Sequence, residues 1–183
     1  MSNWVFEPGH TAAEFCARHM MVTWVRGSFK NVDGKLRFDP TNVADSSVEV
    51  EINAASLWSG DEARDGHLRN EDFLDVENHP TITFTGDDVS VLTPNDFRVT
   101  GDLTLHGVTK KAVLDVRYLG MWDTPFWEDG VDKGPLKRAG FHATTTIDRR
   151  DFGIDWNGDL VGGGVVVGYD VLITIDAEAL LQD

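Results

Sequence analysis

The sequence predicts an all-β fold in which one antiparallel sheet covers its own apolar face. Short segments alternate apolar and polar residues with a period of two, which is typical of strands with one buried face. The connections between most of these segments are short, which favours antiparallel pairing. Nothing else in the chain is large enough to cover the apolar face, so the sheet closes into a barrel or folds into a two-layer sandwich. The period does not decide between these two, and we favour the barrel.

The predicted strands follow one another along the whole chain. The clearest alternation lies in residues 12–19, 47–53, 98–106, 112–119, 139–148 and 168–178, with shorter candidates at 24–29, 35–39 and 81–91. In the last strand, for example, Val171 and Ile173 share one face, and Asp170 and Thr174 share the other. These segments predict about eight or nine strands in one domain that spans residues 1–183.

Residues 59–73 depart from the strand pattern and have the composition of a short helix. Ser59 or Asp61 can cap its first turn, which is rich in acidic residues. Gly66 lies inside the segment and predicts that the helix is short. With Leu68 facing inward, this helix would form a plug or lid between two strands.

A second irregular segment, residues 121–138, contains the large aromatic residues Trp122, Phe126 and Trp127. Its length and aromatic content exceed what a plain turn requires, so it is predicted to be a long hairpin connection. Two roles are open for its aromatic side chains, a lid over the barrel or a seam between two subunits.

Charge and composition exclude several classes of protein. Sixteen Lys and Arg against 31 Asp and Glu give a net charge of −15, which repels nucleic acid and anionic bilayers. No stretch approaches the roughly 20 apolar residues that span a membrane. The amino terminus lacks the features of a secretory signal, and Cys16 is the single cysteine. We therefore expect a cytoplasmic protein.

The histidines do not show a metal-binding spacing. None of the six forms an HxH, HxxxH or HExxH pair, and they stand at positions 10, 19, 67, 79, 106 and 142. We predict no metal, although a site assembled across strands stays open. His106 and His142 fall on the polar phase of their strands. His19 shares the apolar phase of Phe15, which indicates either a hydrogen-bonded residue at a barrel mouth or a polar anchor for a ligand head group.

Signals for catalysis are weak. No GxSxG motif is present, and Cys16 is interpreted as an ordinary half-buried thiol. On the predicted helix, Arg64 and Asp65 either face solvent, pin the helix to the barrel rim or touch a ligand. We predict no catalytic residue and no cofactor. The alternative is an enzyme in which His19 and Asp65 act as acid and base.

The order of several motifs resembles the YceI-like family of polyisoprenoid-binding proteins over nearly the whole chain. The motifs that carry this resemblance include Arg64-Asp65-Gly66-His67-Leu68, His79-Pro80-Thr81-Ile82-Thr83-Phe84, Gly101-Asp102-Leu103-Thr104-Leu105-His106-Gly107 and Arg149-Arg150-Asp151-Phe152-Gly153-Ile154. The resemblance implies an extended eight-stranded antiparallel barrel of lipocalin-like shape, with one or two short helices. It also implies a long amphiphilic isoprenoid or related lipid in the interior and a tendency to form homodimers.

We therefore expect a non-catalytic binding or carrier protein for a long-chain polyisoprenoid or similar amphiphilic lipid. Burial of the chain yields about 0.8 kcal/mol per CH₂, so few polar contacts are needed. The residues expected to bind the ligand are Phe15, Ala17, His19, Trp24, Val50, Ile52, Arg64, Leu68, Ile82, Phe84, Leu103, Leu114, Val116, Phe141, Ala143, Val171 and Ile173. The alternatives are an isomerase, cyclase or hydrolase in the same cavity, or a dimeric interaction module whose barrel is filled by side chains.

Overall fold

The computed structural model describes residues 1–30 and 32–182, and in this part of the chain eleven strands form one antiparallel sheet. The strands are β1 (Ser2–Phe6), β2 (Ala12–His19), β3 (Thr23–Phe29), β4 (Val32–Phe38), β5 (Ser47–Asn53), β6 (Leu57–Trp58), β7 (Thr81–Val91), β8 (Asp96–Leu105), β9 (Val108–Glu128), β10 (Val131–Asp148) and β11 (Val167–Gln182). The helix α1 spans Glu62–Arg69, and short 3-10 turns lie at Pro8–His10, Val43–Asp45, Ala54–Ser56 and Arg149–Phe152. Among the described residues, no helix has the length and apolarity that a membrane crossing requires.

The sheet closes into a barrel because β1 pairs with both β4 and β11. The closed ring runs β1-β4-β5-β7-β8-β9-β10-β11, which makes eight strands. The long strand β11 continues past β1 and pairs with β2 through its first half, with Ile175 opposite Ala13. The strands β2, β3 and β6 extend the sheet there. The predicted eight-stranded antiparallel barrel is confirmed, and the sandwich is excluded.

Most predicted strands agree with the structure, and two were missed. The strands β1 and β6 are short, so neither shows enough alternation to be recognised. Residues 121–138 are not a loop, because β9 and β10 continue through them and form the arms of a long hairpin. Pro125 and Pro135 interrupt the sequence pattern, yet they lie opposite each other in the ladder, beside a register shift.

The helix begins where its capping residue predicts. The carboxylate of Asp61 accepts a hydrogen bond from the Arg64 amide at 2.9 Å, so Asp61, rather than Ser59, is the N-cap. The helix ends after eight residues, as the glycine inside it indicates.

Buried apolar side chains form two separate clusters along the barrel axis. One lies under α1 and contains Phe29, Phe73 and Phe84 together with many aliphatic side chains. The other lies toward the β7–β8 and β9–β10 turns, and we call it the aromatic plug. Its members are Trp4, Phe38, Val43, Phe97, Tyr118, Ala139, Phe141, Ala177 and Ala179.

Contacts between rings hold the aromatic plug together. The ring of Phe38 lies 5.0 Å from that of Tyr118 and 5.1 Å from that of Phe141, centroid to centroid. The indole N–H of Trp4 donates to the Phe38 carbonyl at 3.1 Å. Aromatic contacts at these distances favour a packed, ordered core.

Candidate ligand-binding cavity

The half of the barrel under α1 contains an apolar cavity. It encloses about 1240 Å³ of empty space when its open mouth is counted. Inward-facing apolar side chains of the strands form its wall, and Leu68, Phe73 and Leu74 cover it from the helical segment. This half of the interior is therefore neither filled by side chains nor walled by charge.

Most of the residues expected to bind a ligand line this cavity. They are Phe15, Ala17, Val50, Ile52, Leu68, Ile82, Phe84, Leu103, Leu114, Val171 and Ile173. All of them except Leu68 of α1 lie on strands, where the period-two pattern identifies the face that points into the barrel. That they bind a ligand stays a prediction.

Three apolar residues of the prediction do not line the cavity although they are inward or buried. Phe141 belongs to the aromatic plug, and Val116 packs between the two clusters. Ala143 is buried outside the lining. Alternation predicts which face a residue occupies but not its depth along the barrel axis, and this is why these residues were included.

The remaining three residues lie at the surface or in the helix start. Trp24 is exposed and stacks under the guanidinium of Arg18 at 5.0 Å. His19 is the last residue of β2, and it does not line the cavity. Arg64 donates from Nε to the Ser59 hydroxyl at 2.7 Å and from Nη2 to the Ser59 carbonyl at 2.9 Å.

Asp65 completes this hydrogen-bonded helix start. It is buried, and its carboxylate accepts from the Ser59 amide at 2.9 Å. Arg64 and Asp65 thus join the helix to the segment that precedes it, which is one of the roles the sequence left open. Neither His19 nor Asp65 lines the cavity, so the alternative in which they act as acid and base there has no support in the geometry.

Arg149 was not predicted as a site residue, yet it lines the cavity. It is buried, and its guanidinium donates to three carbonyl oxygens, those of Gly168 at 3.0 Å, Ile154 at 2.8 Å and Val167 at 3.1 Å. The ring of Tyr169 lies 5.1 Å from the guanidinium. Burial lowers the pKa of Arg149, but an arginine stays protonated in proteins.

The signal for Arg149 was present in the alternation of β10. Inward positions of this strand recur at Phe141, Ala143, Thr145 and Ile147, and the same phase reaches Arg149. A charged residue on the apolar phase of a strand indicates a buried, hydrogen-bonded cation. Because carbonyl oxygens rather than a carboxylate hold it, its positive charge is not neutralised by an adjacent ion pair, and N–H groups of the guanidinium remain for a ligand.

A different charged cluster lies outside the aromatic plug. Arg138 forms ion pairs with Glu178 at 2.5 Å and with Glu7 at 3.4 Å, and His10 lies 3.2 Å from the same Glu7 oxygen. Hydrogen bonds to Glu7 and Glu178 raise the pKa of His10. Burial alone would raise the pKa of Glu7, but hydrogen bonds to Glu178 and His10 and the charge of Arg138 lower it.

The fold and the site together define a closed eight-stranded antiparallel barrel with an apolar cavity in one half and a packed aromatic core in the other. The YceI-like domain model matches residues 4–179, and the chain belongs to this family. It is 39% identical over 145 residues to a UPF0312 protein of Ectopseudomonas mendocina, covering 79% of this chain and 72% of that protein. It is 40% identical over 148 residues to a UPF0312 protein of Pectobacterium atrosepticum, covering 81% and 72%.

Solved structures share the fold. The YCEI protein of Campylobacter jejuni is 28% identical, with a TM-score of 0.73 over 91% of this chain and 90% of that one. BcnA of Burkholderia cenocepacia has a TM-score of 0.77 at 21% identity over 94% and 98%. A polyisoprenoid binding domain from Saccharophagus degradans has a TM-score of 0.67 at 14% identity over the full length of both chains.

Proposed function

We propose that the protein binds a long-chain isoprenoid, or an amphiphile of similar shape, in the apolar cavity and carries it without chemical change. The observation that carries this proposal is the cavity itself, a preformed space with an almost wholly apolar wall. Burial of each CH₂ contributes about 0.8 kcal/mol, so a long chain is held without specific polar contacts. The name of the Saccharophagus degradans domain, which shares the fold, agrees with such a ligand.

The polar end of the ligand belongs at Arg149 in this proposal. His19 and Arg64, the anchors considered from the sequence, do not line the cavity, whereas Arg149 does. Its guanidinium is desolvated, and hydrogen bonds from a charged donor strengthen in a low-dielectric site. A head group that offers oxygen acceptors, such as a hydroxyl, carbonyl or phosphate, fits this end.

The experiment is native mass spectrometry of the protein purified from its own cells, followed by organic extraction of the bound material. A stoichiometric apolar molecule with an oxygen-bearing end is the expected result. A ligand-free mass, together with no uptake of added prenyl alcohols or prenyl phosphates, would reject lipid binding. Conversion of an added prenyl substrate into a new product would replace the carrier by an enzyme.

A homodimer is the second part of the proposal. The hairpin arms of β9 and β10 carry Trp122 and Trp127, each 62% exposed. No residue of the segment 121–138 lines the cavity, so the interpretation as a lid loses its support and the interpretation as a subunit seam is retained. A sedimentation measurement on the wild type and on Trp122→Ser checks it, with a dimer expected for the first and a monomer for the second. The cytoplasmic location stays a prediction.

A further inference from the structure

Asp75, His79 and His106 form a cluster that lipid binding does not use. Asp75 and His79 lie between α1 and β7, and His106 lies in the turn between β8 and β9. One ligand atom from each residue, a ring nitrogen or a carboxylate oxygen, lies within 4.8 Å of the other two. All three residues are half-buried. Two imidazoles and a carboxylate are a ligand set for divalent transition metals.

His106 is held in the form that a metal ligand requires. Its Nδ1 lies 3.1 Å from the carbonyl oxygen of Phe152. A carbonyl oxygen can only accept, so Nδ1 carries the hydrogen, and in the neutral ring Nε2 keeps its lone pair. Histidines that bind metals almost always donate their second ring N–H to such a carbonyl or to a carboxylate. The backbone of Phe152 therefore sets both the tautomer and the orientation of this ring.

The turn between β8 and β9 brings the second histidine against the first. The ring centroids of His79 and His106 are 5.0 Å apart. Gly107 allows this approach, because a Cβ at that position would lie 2.6 Å from Cε1 of His79. Its φ of +72° also favours glycine. The backbone thus packs His79 beside His106, and among residues 1–30 and 32–182 neither ring nitrogen of His79 has a hydrogen-bond partner.

Asp75 supplies negative charge that no cation in the described residues neutralises. Its carboxylate oxygens accept from the side-chain amide of Asn78 at 3.0 and 2.9 Å, and it belongs to none of the ion pairs in this part of the chain. This hydrogen bond orients the carboxylate but leaves its charge in place. A bound cation would complete the cluster.

A second cluster of possible metal ligands in the described residues differs from the first because it already contains a cation. Glu7, His10 and Glu178 are also close enough to hold a metal. There, however, the guanidinium of Arg138 already pairs with both carboxylates. A metal ion would have to displace that internal cation, whereas the cluster of Asp75, His79 and His106 contains none.

We propose that Asp75, His79 and His106 bind a divalent transition-metal ion of the Zn²⁺ or Fe²⁺ type, with coordination positions left open for water or another ligand. Metal–nitrogen bonds of about 2.0–2.1 Å place bound ligand atoms about 3.4 Å apart in a tetrahedron, which small side-chain rotations reach from the observed spacing. The net charge of −15 raises the local concentration of cations. The spacing of residues in the sequence does not reveal the site, because its ligands come from two connections, one between α1 and β7 and one between β8 and β9.

The test is a titration of the tag-free protein, stripped with a chelator, with Co²⁺ as a visible probe and Zn²⁺ in calorimetry. One ion per chain is expected, with the d–d absorption of a site that contains imidazole. His79→Gln and Asp75→Asn should each weaken binding at least as much as the roughly 10- to 100-fold that changes around a metal site cost. His106→Asn serves as the third variant, because asparagine tolerates the positive φ of 52° at this position.

His10→Gln and His142→Gln are the matched controls, and both should bind metal like the wild type. The proposal is overturned if no stoichiometric ion binds, if the three cluster variants bind unchanged, or if His10→Gln abolishes binding and so places the metal beside Arg138. Circular dichroism of each variant identifies any loss of fold. Asp75→Asn, which changes charge with little change of shape, decides the question if a histidine variant unfolds. Uptake of prenyl lipid is measured on the same samples, so the carrier proposal stands or fails separately.

Discussion

The two halves of the barrel share the long strands β7 to β11 but differ in what fills their interiors. On β10, Phe141 fills the aromatic plug, and Ile147 further along the same face lines the cavity. The plug brings several rings to one level, whereas the other half presents mostly aliphatic side chains and is covered by the helical segment. The comparison teaches that the size of inward side chains at each level decides whether a barrel of eight strands is a solid core or a container.

The largest loss of stability should come from removing a ring of the aromatic plug. Phe38 is 1% exposed and contacts two other rings, so Phe38→Ala should lower the free energy of unfolding by about 3–5 kcal/mol. Phe84→Ala, on the wall of the cavity, should cost closer to the roughly 1.5–3 kcal/mol of transfer alone, because part of that ring faces space without packed atoms. Urea denaturation measures both. Equal losses would show that the two halves are packed alike.

The next largest effect is expected at Arg149, the buried cation beside the cavity. Arg149→Met removes the donors to three carbonyl oxygens, and a buried group left unsatisfied costs about 1–3 kcal/mol. We expect a loss of stability in this range or above it, measured by denaturation. Binding of a prenyl alcohol or phosphate should fall more than binding of the corresponding hydrocarbon. An equal decrease for both ligands would contradict the role of Arg149 at the polar end.

A large side chain placed in the cavity should strongly reduce lipid binding while leaving the fold intact. Leu114 points into the cavity, and its neighbour Val113 on β9 is 46% exposed. Leu114→Trp should therefore reduce uptake of a prenyl lipid strongly, and Val113→Trp should not. Displacement of a fluorescent lipid measures both variants, with thermal melting as the check on folding. Similar uptake by the two variants would mean that the ligand binds elsewhere.

The smallest expected effect is a pH-dependent change of stability at His10, which lies outside the aromatic plug. Its pKa is raised in the folded protein by hydrogen bonds to Glu7 and Glu178, so the stabilisation is fully present below the unfolded value of 6.5 and is lost as pH rises through the higher folded value. His10→Gln should accordingly lower the melting temperature at about pH 6 and have little effect at about pH 9. His142→Gln is the control at the surface. A difference that grows with pH would have the wrong sign.

Much of the barrel was predictable because it depends on local alternation. The bounds of β2, β5 and β7 follow directly from the period-two segments, and Asp61 and Gly66 predict the start and the brevity of α1. The cavity wall was predictable for the same reason, since inward phase is a property of each strand alone. Leu103 and Ile173 are examples from two different strands.

Other features of the molecule depend on which strands pair and on the position of each residue along the barrel axis. Phe141 and Leu114 have equivalent inward patterns, and only the register of β9 with β10 separates a plug residue from a wall residue. His106 was assigned to the polar phase of a strand, yet it lies in the turn after β8 with a positive φ of 52°. Its neighbour His79 arrives from a different connection.

Local alternation therefore accounts for the strands, their inward faces and the apolar character of the interior, because each needs only neighbours in the chain. Closure through β1 and β11, the division of the interior into plug and cavity, and the meeting of His79 with His106 required the folded barrel. Each of these depends on pairs of residues far apart in the chain, whose relative level is set by strand register. A period of two contains no information about register.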